Sequence, residues 1–311
     1  MVHNEIRRLH ANDRAHVVYH NAMTALYLGL MVASAWTWAK GWWPLTIVCW
    51  GVAGHVGHAK LIAFHEAAHG TLNARPWLNE LQGVAIGTVI LVPLSVYRYV
   101  HGRHHAQLAS KWDLELWPFV DTARPKWQRR LAAAAELLVG YFYTPILFAH
   151  GVWVGDDLKP RQRRRIAEEY ALCALVWAVT LTIVARNGWW TYFVVGYLVP
   201  AMLAGNLQSL RKFTEHLGLV GGSIVSTTRT VIDRHPLGSA MSRLLLHIDY
   251  HGTHHRYARL PYYNLPAATP YVLDTDESRQ LVFPTYAAAM RDMFPALKDP
   301  KVGKQWEDNI L

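Results

Sequence analysis

Four stretches of this chain contain no Asp, Glu, Lys or Arg over lengths that match a lipid bilayer: residues 21–39, 44–59 (resuming after Lys60 to 64), 170–185 and 190–207. A bilayer core takes about 20 helical residues at about 1.5 Å rise each. Inside it, every backbone N–H and C=O must be satisfied within the segment, which favours helices. The stretches therefore predict an all-α integral membrane protein. "KGWW" joins the first two and "RNGWW" the last two. A glycine turn beside paired tryptophans suits a membrane–water interface, so four transmembrane helices in two hairpins are expected. The third stretch is short, and Glu169 and Arg186 at its ends would reach out to water. Composition agrees, with 52% hydrophobic and only 17% charged residues, against about 25% charged in soluble domains.

Charge gives an orientation. The hairpin tips hold only Lys40 and Arg186, while the other 29 of 31 basic residues fall on the opposite side. Basic loops stay in the cytoplasm, so both termini and the long loops are expected there. "RQRRR" at 161–165 flanks the third stretch, as expected of a segment touching anionic lipid. The net charge of +9 thus points to a membrane surface rather than to nucleic acid. The polar N-terminus does not read as a cleavable signal peptide. Cys49 and Cys173 lie in apolar runs without a Cys-x-x-Cys, which leaves a zinc ribbon, a built-in rubredoxin-like centre and an iron–sulfur cluster unsupported.

The histidines carry the chemistry. Eight of 18 fall in three clusters: "HEAAH" (His65, His69), "HGRHH" (His101, His104, His105) and "HGTHH" (His251, His254, His255). On a helix, positions i and i+4 differ by about 40°, and i, i+3 and i+4 span about 100°. Each cluster therefore presents its imidazoles on one face. "HEAAH" alone reads as a zinc metalloprotease signature with Glu66 as general base. Eight clustered imidazoles exceed what one tetrahedral zinc uses. They suit two metals of higher coordination number, and iron fits an imidazole set without thiolates. A metal transporter should carry its ligands at mid-membrane, where only His55 and His58 fall.

A shared site constrains topology. Residues 81–96 and 131–154 are apolar enough to be ambiguous. If the clusters flanking them meet, no single crossing can separate those clusters. Both stretches are therefore expected to be interfacial or re-entrant, on the cytoplasmic side.

The boxes H-x-x-x-H, H-x-x-H-H and H-x-x-H-H, carried by "HEAAHG", "YRYVHGRHHAQ" and "DYHGTHHRYARLPYYNLP", resemble the membrane fatty-acid desaturase and hydroxylase superfamily. The resemblance runs from about residue 21 to 266. It implies a membrane desaturase-like domain over 1–266, with 267–311 as a C-terminal cytoplasmic segment of the same domain. It implies a cytoplasmic helical cap holding a di-iron site of nine histidines, the ninth being His216 in "FTEHLG". Family members often carry Asn four residues before that histidine; here Lys212 stands there, and Asn206 is too far along the helix to replace it. Candidates to orient the ligands from outside are His58, His247, Glu66 and Asp249, with Asp113, Glu115 and Asp121 also near the boxes.

The implied activity is O2-dependent oxidation of an unactivated C–H bond in a lipid by a non-haem di-iron oxidoreductase. Fatty-acyl desaturation leads; a hydroxylase or ketolase acting on a lipid, alkane or carotenoid is the alternative. Two iron ions are the implied cofactor and O2 the co-substrate. "HPLG" at His235 is a poor match to the haem motif H-P-G-G. Electrons are thus expected from a separate ferredoxin, rubredoxin or b-type cytochrome, docked on the basic face.

Overall fold

One tight helical hairpin and a long, apolar, broken helix frame the fold. The computed structural model describes residues 2–10, 15–274 and 276–307. After α1 (Val2–Leu9), α2 (Ala15–Ala39) and α3 (Trp43–His69) form the first hairpin. Gly41 turns it with φ +71°, a left-handed conformation that costs glycine least. After a turn at Gly188, α7 (Pro160–Arg186) leads into a broken helix: α8 (Trp190–Phe193), a π-helical turn at Val194–Leu198, and α9 (Val199–His216). Trp177 of α7 touches Phe193 and Tyr197 at the start of this helix, but α9 itself packs against α3 and α6 rather than along α7, so the expected second hairpin splays open. The π turn is stitched to its neighbours. Trp50 Nε1 donates to the Val195 carbonyl at 2.8 Å, and the Tyr197 hydroxyl donates to the Val89 carbonyl at 2.8 Å. Helix breaks are tolerated in lipid where neighbours satisfy the freed backbone groups in this way. Trp42, Trp43, Trp189 and Trp190 are exposed at the two turns, and Val32, Ile47, Leu175 and Val179 are exposed along the shafts. Such an apolar surface fits lipid rather than water.

Close packing here runs through glycine, as between membrane helices generally. A Cβ on Gly205 of α9 would lie 2.6 Å from the Tyr141 backbone nitrogen, and one on Gly54 of α3 would lie 2.7 Å from Leu203 Cβ. Gly205→Val is expected to force α9 away from its neighbour and to cost about 1–3 kcal/mol. A melting curve of the purified protein checks this, and an unchanged midpoint would contradict the packing.

Between α3 and α7 in the chain, α4 (Pro76–Val89) and α5 (Leu94–Ala106) meet at a bend of 97°. The apolar stretch 81–96 is therefore two helices, broken where Leu91 takes φ +62° and Pro93 follows. Next comes α6 (Lys126–Val154), irregular at Val139 and containing Pro145. By length and apolarity alone, the described residues hold five helices able to cross a membrane, or six if the bent pair counts as one span. That exceeds the four expected from the two hairpins. The fifth is α6, whose stretch 131–154 parity, not hydropathy, assigned to the interface.

The remaining chain forms short elements: β1 (Thr230–Val231), α10 (Pro236–Leu244), α11 (His251–Arg256), α12 (Leu265–Ala268), α13 (Asp276–Gln280), β2 (Val282–Phe283) and α14 (Tyr286–Met293). The two strands pair in parallel, a small departure from an all-α expectation. This segment is packed against the helices. Met293 and Val302 share a core with Phe119, Phe213 and Leu217. Arg229 donates to the Thr214 and Leu217 carbonyls at 3.1 and 2.9 Å, binding the segment to the end of α9.

Candidate metal centre

Three helix termini and one short helix converge beside the apolar helices. The C-terminal turn of α3 brings His65 and His69, and the end of α5 brings His101, His104 and His105. His216 closes α9, and α11 carries His251, His254 and His255. All nine sequence-predicted metal ligands lie in one cluster. His65, His69, His101, His105 and His254 form one group with ligand atoms within 4.8 Å of one another. His104, His216 and His255 form a second, which His216 links to His251 and Glu215.

The imidazoles point nitrogen to nitrogen. The Nε2–Nε2 separations are 3.0 Å for His69–His101, 3.1 Å for His101–His105 and 3.1 Å for His105–His254. In the second group they are 2.8 Å for His216–His251 and 3.0 Å for His251–His255. Four of the outer nitrogens have partners, while the Nδ1 atoms of His105, His251 and His255 are buried without a hydrogen bond among the described residues. His101 Nδ1 donates to Glu115 at 2.7 Å, His104 Nδ1 to Asp113 at 2.8 Å and His216 Nδ1 to the Thr227 carbonyl at 2.9 Å. His65 Nδ1 lies 3.2 Å from Glu66, whose other oxygen accepts from the Thr71 hydroxyl at 2.7 Å. A neutral imidazole has one N–H. Where Nδ1 donates outward, Nε2 must turn a lone pair inward. Lone pairs crowded together in a buried space repel, and cations between them turn that repulsion into bonding. Burial and neighbouring imidazoles hold His251, His254 and His255 well below the ordinary imidazole value, which keeps them neutral and able to ligate. The donor set thus fits cations that favour nitrogen.

The outer residues divide. Glu115, Asp113 and Glu66 hold box histidines, as carboxylates commonly do around metals. Asp121 does not; it accepts from Arg124 at 3.0 Å, on a loop away from the cluster. His247 fails for a structural reason. Its place on the triad's face required a helix extending back from His251, but α11 begins at His251 and His247 sits in a turn at φ +50°. Its Nδ1 meets Ser242 Oγ at 2.8 Å, and the same hydroxyl donates to Asp249 at 2.8 Å. Asp249 thus braces the turn before the third box rather than a box imidazole. His58 is buried two turns before His65, with the His55 ring 6.2 Å away, outside the cluster.

Glu215 was missed by the sequence reading. It lies 3.5 Å from His251 Nδ1 and pairs with Arg211 at 2.5 and 2.6 Å, all three side chains being buried. The one trace in the sequence is an Arg and a Glu at i and i+4 just before His216, a spacing that a surface pair shows equally. Lys212, where family members often carry Asn, forms a buried ion pair with Glu136. Glu115→Gln is expected to weaken metal binding about 10–100-fold, since the amide orients His101 less strongly. Metal titration of the stripped protein measures this; unchanged affinity would separate Glu115 from the site.

Apolar helices of membrane length beside a cluster of box imidazoles define a class, the histidine-box membrane proteins. The chain belongs to the fatty acid desaturase family, which it matches over residues 40–287. It is 22% identical to a chloroplastic omega-6 fatty acid desaturase of Glycine max, over 79% of this chain and 59% of that one. It is 24% identical to an sn-1 acyl-lipid omega-3 desaturase (ferredoxin) of Nostoc, over 78% and 71%. It is 22% identical to an oleoyl-12-hydroxylase of Ricinus communis, over 73% and 66%. The chain therefore spans only about three fifths of the soybean protein.

Proposed function

We propose that the nine histidines hold two iron ions and that the protein uses O2 to remove hydrogen from an unactivated C–H bond of a fatty acyl chain. The convergence of all three boxes and His216 on one buried cluster carries this reading. Bound iron would supply O2 activation, using electrons from a separate carrier. The protein's own residues supply ligands, their orientation and an apolar path. A cavity of about 550 Å³ lies among α2, α3, α4, α7 and α9, walled by Leu28, Met31, Leu61, Ile90, Tyr141 and Tyr197. A smaller cavity shares Leu61, Ile90 and Tyr141 with it and reaches Tyr97 and Glu115. Tyr97 stacks on the His101 ring at 5.0 Å. An acyl chain lying along this path ends beside the cluster.

The site also bears on topology. His69 and His101 are neighbours, so the bent pair α4–α5 enters the bilayer and returns. His104 and His216 are ring neighbours at 5.0 Å, so an even number of crossings separates them. Counting α7 and the α8–α9 unit as spans, α6 lies along the membrane face. With the basic loops inside, both termini and the cluster are cytoplasmic, and a ferredoxin, rubredoxin or b-type cytochrome with an acidic surface would dock there.

Hydroxylation is the second reading, favoured by the Ricinus relative. Expression in a host with suitable electron carriers, followed by lipid mass spectrometry, decides. Loss of two hydrogens supports desaturation and gain of one oxygen supports hydroxylation. An unchanged lipid profile alongside an iron-loaded protein and a working donor would defeat both.

A further inference from the structure

The smaller cavity has an unexpected wall. It lies between α3, α5, α6 and α9 with about 60 Å³ of free space, room for about two water-sized groups. Phe64, Val92 and Phe148 line it, as an acyl chain requires. Glu136, Ser209 and Lys212 line it as well. Glu136 and Ser209 are 1% and 2% exposed. Lys212 Nζ meets Glu136 through Oε1. That leaves Glu136 Oε2 and Ser209 Oγ, both buried, without a hydrogen-bond partner among the described residues. Buried polar atoms are rarely left unsatisfied, because nothing replaces the water they gave up. Methylene groups offer these two atoms nothing. A hydroxyl group would donate to the carboxylate oxygen and accept from the serine hydroxyl.

Resting on the acyl-oxidation reading above, we propose that this pocket recognises a hydroxyl group carried along the substrate chain. The preferred substrate is then a hydroxylated acyl chain rather than a plain one. Tyr97 and Glu115, which touch His101, form part of the same cavity wall. The hydroxyl therefore sits one side chain away from the cluster and sets which carbon faces it. Ser209 and Glu136 act as specificity residues. A site built to hydrogen-bond a hydroxyl discriminates strongly against the analogue lacking it, since its polar atoms are then buried unpaired.

The test uses the full-length, iron-loaded protein held without oxygen, with a fluorescent fatty acid as probe. Stearic acid and a series of hydroxystearic acids, varied in hydroxyl position, compete for the probe. At least one hydroxystearic acid is expected to bind about tenfold more tightly than stearic acid, the worth of one net hydrogen bond. Ser209→Ala should erase about tenfold of that ratio. Glu136→Gln keeps an acceptor toward Lys212 but turns an amide N–H into the cavity, so preference should pass to the ketostearic acid of the same position. Equal binding of all the chains to the unaltered protein would overturn the proposal and assign the pocket to water. So would a Ser209→Ala variant that weakens stearic and hydroxystearic acids alike. Admitting O2 and a donor then separates the two readings. Tight binding of a chain that is never oxidised defeats the proposed function and leaves the recognition standing. Oxidation of every chain without preference in binding does the reverse.

Discussion

His254→Ala is expected to lose essentially all oxidation and a large part of the bound metal. His254 stands at the crowded end of the first group. Its Nε2 is 3.1 Å from that of His105, and its ring lies 4.5 Å from His65 and 4.9 Å from His69. It is also the residue through which α11 reaches the box on α3, and with His255 it reaches the box on α5. Losing an outer partner of a ligand costs about 10–100-fold in affinity or activity; losing the ligand itself should cost more than that. His247→Ala, seven residues earlier in sequence, should be far milder, because His247 faces Ser242. Iron content per chain and turnover of the two variants, measured side by side, check the contrast. An active, fully loaded His254→Ala protein would remove the third box from the centre.

Arg211→Met should destabilise the protein by about 3–5 kcal/mol, the usual cost of stranding one member of a buried ion pair. Arg211 gives Glu215 two short hydrogen bonds, and Glu215 in turn lies beside His251 Nδ1. Without the guanidinium, a carboxylate remains in a dry place next to the cluster. The double variant Arg211→Met with Glu215→Gln should recover much of the stability, since the buried charge has gone. It should not recover metal affinity, because His251 loses its carboxylate neighbour. Melting temperature and metal titration separate the two effects. A single variant as stable as the parent would show that the pair is not buried in solution.

The apolar helices and the boxes were legible because each depends on local spacing. Uncharged runs of bilayer length and imidazoles at i, i+3 and i+4 need no knowledge of the rest of the chain. His247 shows the limit of such spacing. Its four-residue offset from His251 has meaning only on a continuous helix, and the chain turns there instead. The bend at Leu91–Pro93 hid inside one apolar stretch, since hydropathy does not register direction. Glu215 and the Lys212–Glu136 pair were invisible for a different reason. Buried charges look like surface charges in a sequence, and only the packing of α6 against α9 shows that these are enclosed. Asp113 and Glu115 were flagged by nearness to a box, but so was Asp121. Nearness in sequence does not say which carboxylate turns inward.

The cluster draws its imidazoles from four separate places, and the last of them follows every apolar helix in the chain. During synthesis the chain emerges from its N-terminus, so the apolar helices can enter the bilayer while the third box is still unmade. Metal trapped between all nine nitrogens can only arrive afterwards. It would then tie the C-terminal segment back onto helices already fixed in lipid, as metal binding elsewhere is coupled to folding. Metal supply would thus act as a late checkpoint on maturation. A chain starved of metal would insert normally yet keep its C-terminal third open to proteases.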